Sequence, residues 1–403
     1  MSTRPTFLAL LALFLFTPSA YGQDHELPLD SLRRKTPSGQ YVDPASFFRM
    51  HGYTTLSYTA NGPDVGKEEG TIPKILVNGV SPRTGENESG FRSDAALFVG
   101  GEPFDGVGTV LEIHFVGNAL NPVLTEAKFT YQLADTDEHE LIASGGRFWW
   151  PFGIHNKEWF SSLNTFPVMS LAGAEVVPAH YNEVGLMAEG ASLLSDAWGI
   201  NYVGAIGNGV PSFDVMPNVT ETASDADSNR SVTGRFALVH GGALGLELGF
   251  SGGAGGLRQG LDPSQPVDNP HRYDASYTAY GPDLTLTWSR IALSAYWYHS
   301  SEELTEAPLP ELTRDGFTIE STYRVPITNS DRLSSFGLHA RVSRAEEDNL
   351  AGGVYRRLGY SGAMSLAVTK AFDIRLAYVL QQEELDAPEV SNNILSLSFT
   401  AKF

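Results

Sequence analysis

The residues able to do chemistry in this chain come in pairs spaced by two. Glu112 and His114, Glu126 and Lys128, Arg92 and Asp94, and Asp373 and Arg375 each follow this pattern inside segments that otherwise alternate apolar and polar positions. In a strand, a spacing of two puts both members on one face. Arg235, Glu247, Glu320, Arg324, Arg341 and Arg357 share the parity of the polar positions in their own segments. Acids and bases on one face could transfer protons, hold a metal ion, or act on a solute through their charge. Proton transfer in a hydrolase needs a nucleophile beside a base, and His114 with Ser144 is the nearest combination. A metal site finds little support. The 10 histidines are scattered, with no His-Glu-x-x-His. Asp225-x-Asp227-x-Asn229 opens like a calcium loop but has Arg230 at the sixth place and Phe236 at the twelfth, where Gly and Glu are required. Asp135 to Glu140 reads as a polar turn. With no cysteine, thiol catalysis and Cys-ligated metals are excluded. The glycines at 252–256 lack the Gly-Lys-Ser/Thr ending of a phosphate loop, and no Gly-x-Ser-x-Gly elbow occurs. No metal and no cofactor are expected, which leaves charges of both signs lining a path.

The elements that carry these residues read as strands. Ala127, Phe129, Tyr131 and Leu133 alternate with Glu126, Lys128, Thr130 and Gln132; Leu395, Leu397, Phe399, Ala401 and Phe403 alternate with Ser396, Ser398, Thr400 and Lys402. A soluble sandwich would show the same pattern, but three features favour a membrane barrel. The segments are about 10 residues long, enough to cross a bilayer with tilt. Aromatics gather near their ends, at Trp149-Trp150, Trp288, Tyr296-Trp297-Tyr298 and Phe403, as in interfacial girdles. Full charges stand mid-strand, which a wet lumen tolerates and a dry core does not. Unpaired edges are too costly in lipid, so the sheet must close. The expected fold is all-β: a transmembrane antiparallel β-barrel of about 16 strands, with 18 as the alternative. Strands are expected at 49–59, 91–99, 108–117, 125–134, 140–149, 182–190, 197–206 and 231–240. The rest fall at 243–251, 274–288, 291–300, 316–325, 335–344, 354–369, 372–381 and 393–403. Within 274–300, either Ser289-Arg290 is the tight turn and Gly281-Pro282-Asp283 an irregularity in one strand, or the reverse. Short connections alternate with long ones, the pattern of periplasmic turns and external loops.

Three segments divide the chain. Residues 1–22 read as a cleaved secretory signal: Arg4, then the apolar run Phe7 to Phe16, then the small-x-small site Ala20-Tyr21-Gly22. Residues 23–47 read as a short periplasmic segment, and 48–403 as the barrel. No later run has 18 uninterrupted apolar residues, so no spanning helix is expected. The formal charge is −20, from 27 basic and 47 acidic residues, which argues against nucleic acid as a partner. Most of the excess acid falls in the expected external loops 61–90, 207–230, 301–315 and 382–391 and at Glu346 to Asp348. This is either a solvated rim or a negative vestibule that enriches cations.

The external loop at 151–181 differs. Its charges are Lys157, Glu158 and Glu175, beside Phe152, Trp159, Phe160, Phe166, Met169 and Val176-Val177. Thirty residues this apolar make a poor exposed loop. Folding into the lumen, as a constriction, would bury them; packing over the rim or against a neighbouring barrel is the other reading.

Gly146-Arg147-Phe148-x-x-Pro151-Phe152-Gly153, followed by Ser161-Ser162 and Phe166-x-x-Met169, resembles the phosphate-selective porin O and P family. Phe91 to Leu97 resembles that family's second strand, and Val184 to Gly190 the strand after its third external loop. Phe399 and the terminal Phe403 look like the signal read by the barrel-assembly machinery. The resemblance is clear over about 90–206. It implies a 16-stranded, homotrimeric barrel with the third loop folded inside. Two features depart from the family. The inward charges here are mixed where phosphate-selective members line the channel with Arg and Lys, and 23–47 contains Pro28, Pro37 and Pro44 without heptads. Phosphate specificity is therefore not carried over.

The expected function is passive diffusion of small hydrophilic solutes or ions through a water-filled channel, without catalysis. The expected location is a Gram-negative outer membrane, in contact with lipid and lipopolysaccharide. The alternative is a barrel with a blocked lumen acting as an adhesin or hydrolase.

Overall fold

A computed structural model describes residues 49–61, 90–104, 106–116, 122–154, 165–177, 182–211, 230–258, 274–304, 311–328, 330, 333–348, 354–369, 371–385 and 393–403. The expected export signal at 1–22, the expected periplasmic segment at 23–47 and the acidic stretches 62–89 and 212–229 lie outside the described residues.

The strands are β1 (Arg49–Asn61), β2 (Gly90–Phe104), β3 (Val107–Val116), β4 (Pro122–Asp135), β5 (His139–Trp149), β6 (Asn182–Leu193), β7 (Trp198–Gly207) and the two-residue β8 (Val210–Pro211). They continue with β9 (Ser231–His240), β10 (Leu244–Arg258), β11 (Asp274–Trp288), β12 (Ile291–Leu304) and β13 (Leu312–Pro326). The last four are β14 (Ser335–Asp348), β15 (Val354–Thr369), β16 (Phe372–Leu385) and β17 (Ile394–Lys402). Sixteen long strands pair antiparallel with their neighbours, and β1 pairs with β17 to close the barrel. Closure is completed at Gly52, whose N–H donates to the Phe403 carbonyl at 2.9 Å while the Phe403 N–H donates to the Gly52 carbonyl at 3.0 Å. The top of β10 rises beyond the end of β9, and β8 pairs parallel with it there at Leu257 and Arg258, covering an edge that would otherwise be unpaired.

Alternation decides which side chains face in. On β1, Tyr53, Thr55, Ser57 and Thr59 are buried while Thr54, Leu56 and Tyr58 are exposed. On β17, Ser396 and Thr400 are buried while Leu395, Leu397 and Phe399 are exposed. Polar residues inside and large apolar residues outside is the reverse of a soluble protein and suits a lipid exterior. The open choice at 274–300 resolves as one strand, β11, ending in a turn at Ser289-Arg290, with Ser289 at φ 54°. Pro282 stands exposed on the outer face, and the β11–β12 register runs unshifted from Tyr280↔His299 to Asp283↔Tyr296.

Two expectations need correction. The strands on the β12–β16 side reach further outward than the alternation indicated, to Leu304, Asp348 and Leu385, and β13 begins at Leu312. Several acids assigned to solvated loops therefore sit on strands and pair with arginine. Arg314 binds Glu302 and, at 2.7 Å, Glu347; Arg356 binds Glu346 at 2.8 Å. The aromatic girdle is also smaller than expected. Trp288, Trp297 and Phe403 are exposed, whereas Trp149, Trp150, Tyr296 and Tyr298 are buried inside the barrel.

Candidate functional site: the lumen and its constriction loop

The chain leaves β5 through a backbone shape that needs glycine. Gly146 has φ +131°, and a Cβ there would lie 2.3 Å from the Ala127 carbonyl oxygen. Arg147 follows, donating to Asn182 Oδ1 at 3.0 Å and to the Leu124 carbonyl at 3.4 Å. Phe148 packs on Met187, Val203 and Ala205. Trp149 Nε1 donates to Glu112 Oε2 at 2.9 Å. Pro151 then precedes a tight reversal in which the Phe152 N–H donates to the Trp150 carbonyl at 2.8 Å and Gly153 takes φ +64°. Trp150 and Phe152 stack at 5.2 Å, and Phe152 meets Tyr298 edge-on at 5.2 Å. The Gly153 N–H donates to Ser251 Oγ on β10 at 2.8 Å, and the Ile154 N–H to the Tyr298 hydroxyl on β12 at 3.1 Å. The motif Gly146 to Gly153 thus turns the chain inward and fastens it.

The second described part of the loop, 165–177, lies against the inside of the wall. Phe166 packs on Ala363 and Ala377, Val168 on Val379 and Ile394, and Met169 on Tyr53, Ala96, Phe98 and Trp149. Ser170 hydrogen-bonds the Tyr296 hydroxyl. A single π-helical turn, Ala172–Val176, packs against β12, β13 and β14. Two wall arginines clamp this segment. Arg341 donates to the Val168 carbonyl at 2.5 Å and lies 4.3 Å from the centre of the Phe166 ring. Arg357 pairs with Glu175 at 2.9 Å. Desolvation holds the Glu175 carboxyl above the usual carboxylate range, and Arg357 opposes that rise. Lys157, Glu158 and Trp159 lie outside the described residues.

On the opposite side the lining is acid-rich. Glu112 pairs with His114 at 2.9 Å and Glu126 with Lys128 at 2.7 Å, all four buried. Burial of a charge is tolerable only with such a partner. Asp94 accepts from the Tyr53 hydroxyl at 3.2 Å. Arg92 stands opposite Ser57 on β1, and its side chain lies outside the described residues. On β9–β11, Arg235 binds Asp283 through Nε at 2.9 Å and Nη2 at 2.5 Å, and Glu247 at 2.6 Å. Gly249 lies between them on β10, and a Cβ there would come within 2.4 Å of Asp283 Oδ1 and 2.5 Å of Arg235 Nη2. A side chain at 249 would displace the carboxylate and guanidinium ends that form the bridge across β10.

Toward the short-turn end, β13 to β17 carry a basic strip. Arg375 pairs with Asp373 at 2.9 Å, and Lys402 reaches the same carboxylate at 3.4 Å. Arg324 is exposed and stands opposite Gly337. His339 sits between Thr322 Oγ1 at 2.9 Å and Ser365 Oγ at 2.8 Å. Glu320 stands opposite Arg341 in the β13–β14 register. Phe399 and Phe403 face outward.

Three of the four pairs spaced by two meet, Glu112 with His114, Glu126 with Lys128 and Asp373 with Arg375, but the scattered arginines do more structural work than a channel lining implies: Arg341 and Arg357 hold the loop. Asp283, Trp149, Tyr296, Tyr298, Ser170 and Ser251 complete the site and were not anticipated. The parity of 294–300, which sets Tyr296 and Tyr298 with Ser294 and Ser300 and opposes Trp297, is the signal that separates them from a girdle. Nothing joins Ser144 to His114. Among the described residues Ser144 Oγ has no hydrogen-bond partner, and His114 Nε2 lies against Glu112. Among the described residues, no group of three or more His, Asp or Glu is placed to hold a metal ion.

No protein-family model matches the chain, and no curated protein matches it. Solved structures do. An in-vitro folded trimer form of OmpT, an outer membrane protein of Vibrio cholerae, is 12% identical, with 89% of this chain and 100% of that one covered at a TM-score of 0.52. An anion-selective porin from Comamonas acidovorans is 12% identical, with 89% and 100% covered at 0.51. OprB of Pseudomonas putida is 11% identical, with 88% and 94% covered at 0.51. What this chain shares with these proteins is the fold, a closed antiparallel β-barrel.

Proposed function

We propose that this chain is an outer-membrane porin through which small hydrophilic solutes or ions diffuse passively. The observation that carries the reading is the apolar segment 165–177 folded inside the barrel and clamped by Arg341 and Arg357 on a polar, charged wall. A loop that partitions a lumen without filling it with a dry core sets a size limit on an aqueous path. Charges of both signs flank that path, so size and net charge together would select the solute. In this reading 1–22 is a cleaved export signal and Phe399 and Phe403 present the assembly signal to the barrel-assembly machinery. The outward apolar band meets outer-membrane lipid and lipopolysaccharide, and three copies associate. No chemical step is needed. Phosphate specificity is not proposed, because the basic strip on β13–β17 faces an acid-rich wall on β2–β6.

A second reading keeps one specific support. The side chains at mid-barrel, among them Trp150 at 1%, Phe152 at 0% and Glu112 at 0% exposure, are buried. A lumen shut at that level would leave a barrel acting through its outer surface as an adhesin or hydrolase. Swelling of proteoliposomes in neutral sugars of graded size separates the two. The porin reading predicts rapid swelling in the smallest sugar and none in the largest. A vesicle population inert to every sugar and salt supports the blocked barrel.

A further inference from the structure

Glycine inside a strand weakens it and offers nothing to pack, unless another segment must come close. Three lumen-facing glycines on three strands meet the constriction loop in this way. A Cβ on Gly253 of β10 would lie 2.7 Å from Trp150 Cζ2. On Gly316 of β13 it would lie 2.7 Å from Val176 Cγ2 and 3.0 Å from the Ala172 Cβ of the loop, and 2.7 Å from the Arg344 carbonyl oxygen of β14. On Gly359 of β15 it would lie 3.4 Å from Leu171 Cδ1 of the loop and 2.7 Å from Ser343 Oγ of the neighbouring strand. The loop contacts at the first two are closer than side chains tolerate without movement, and the Leu171 contact at the third is ordinary van der Waals contact. The outward-facing Gly362, by contrast, has nothing within 4 Å.

We propose that Gly253, Gly316 and Gly359 are positioning residues: seats into which the loop's side chains drop, fixing the loop against the wall and thereby setting the bore of the channel. The seats share one face of the sheet and hold the entry of the loop and its π-helical turn. The described loop residues lie on the axial side of these glycines, so filling a seat pushes them toward the barrel axis. For its effect on bore the inference rests on the porin reading; the contact it asserts does not.

The test combines current and cross-linking. Gly316→Leu is expected to lower single-channel conductance in planar bilayers at least twofold, while Gly362→Ala conducts like the parent. An unchanged or larger conductance for Gly316→Leu overturns the proposal. The chain has no cysteine, so a pair can be introduced cleanly. Gly316→Cys with Ala172→Cys places two Cβ atoms at a separation that a small shift brings to disulfide geometry. Oxidation should give near-complete disulfide in the folded, heat-modifiable barrel and leave one steady conductance level. Failure to cross-link in a folded barrel, or loss of conductance on cross-linking, overturns it. If Gly316→Leu does not fold, the cross-link decides the matter. If the parent protein carries no current, the porin reading falls, and the yield of disulfide still tests the seat.

Discussion

Replacing Arg341 with methionine keeps much of the side-chain volume and removes the charge that fastens the loop. Arg341 is 2% exposed, donates to the Val168 carbonyl at 2.5 Å and lies 4.3 Å from the Phe166 ring centre. A hydrogen bond from a charged group contributes about 1.5–3 kcal/mol. A desolvated cation–π contact contributes about 2 kcal/mol. Methionine restores part of the ring contact through its sulfur, about 0.5–1 kcal/mol. The net loss at the clamp is therefore about 2.5–4.5 kcal/mol, which multiplies the population of a locally detached segment by roughly two to three orders of magnitude. Arg357 with Glu175 and the Tyr296–Ser170 contact remain, so 165–169 should loosen while the π-helical turn stays. Single-channel recording should show the steady parental level broken into rapid transitions among sublevels. An Arg341→Met channel with parental conductance and parental open-channel noise would refute the clamp.

Three other outcomes follow from the same geometry. Glu175→Gln leaves Arg357 without its counter-charge and should move the reversal potential in a salt gradient toward anions. Because the Glu175 carboxyl is held above the usual carboxylate range by desolvation, the charged pair exists above that raised value and is lost as pH falls through it. The parent should therefore make the same anion-ward shift on acidification, at a higher pH than an ordinary glutamate would, and Glu175→Gln should lack that component. Gly146→Ala forces φ +131° on a residue with a Cβ, at a cost of about 1–3 kcal/mol plus the clash with the Ala127 carbonyl; the yield of heat-modifiable barrel on unheated gels should fall severalfold. Phe403→Ala removes the outward terminal ring but not the backbone bonds to Gly52. Insertion in cells should therefore drop while the thermal stability of the barrel that does insert stays near the parent.

The strand order and the inward parity could be read from the sequence because a lipid exterior and a wet interior impose opposite demands on successive residues. Glu112, Glu126, Arg235, Arg341 and Asp373 share the parity of the polar positions in their segments for that reason. The upper ends of β12, β13, β14 and β16 could not be read this way. Above the bilayer both faces meet water, so alternation disappears, and Glu302, Arg314 and Glu347 look like loop residues until pairing across strands is seen. Trp149 and Trp150 looked like girdle residues because composition at a strand end does not say whether the chain then turns in or out. The inward turn is carried by Gly146, Pro151 and Gly153, whose meaning lies in backbone angle rather than polarity. The partners that receive the loop were beyond reach for a further reason: Ser251, Tyr298 and Arg341 are distant in sequence, and no periodicity links them to 151–181.

The central claim is that greasy side chains clothe the outside while charged ones surround a hole that water can cross past the folded-in loop. Recording purified, folded protein in planar lipid bilayers at symmetric salt tests it most directly. Stepwise insertions of uniform size, each passing a steady ohmic current, are the predicted result. Membranes that hold the folded barrel yet pass no current at any voltage would contradict it.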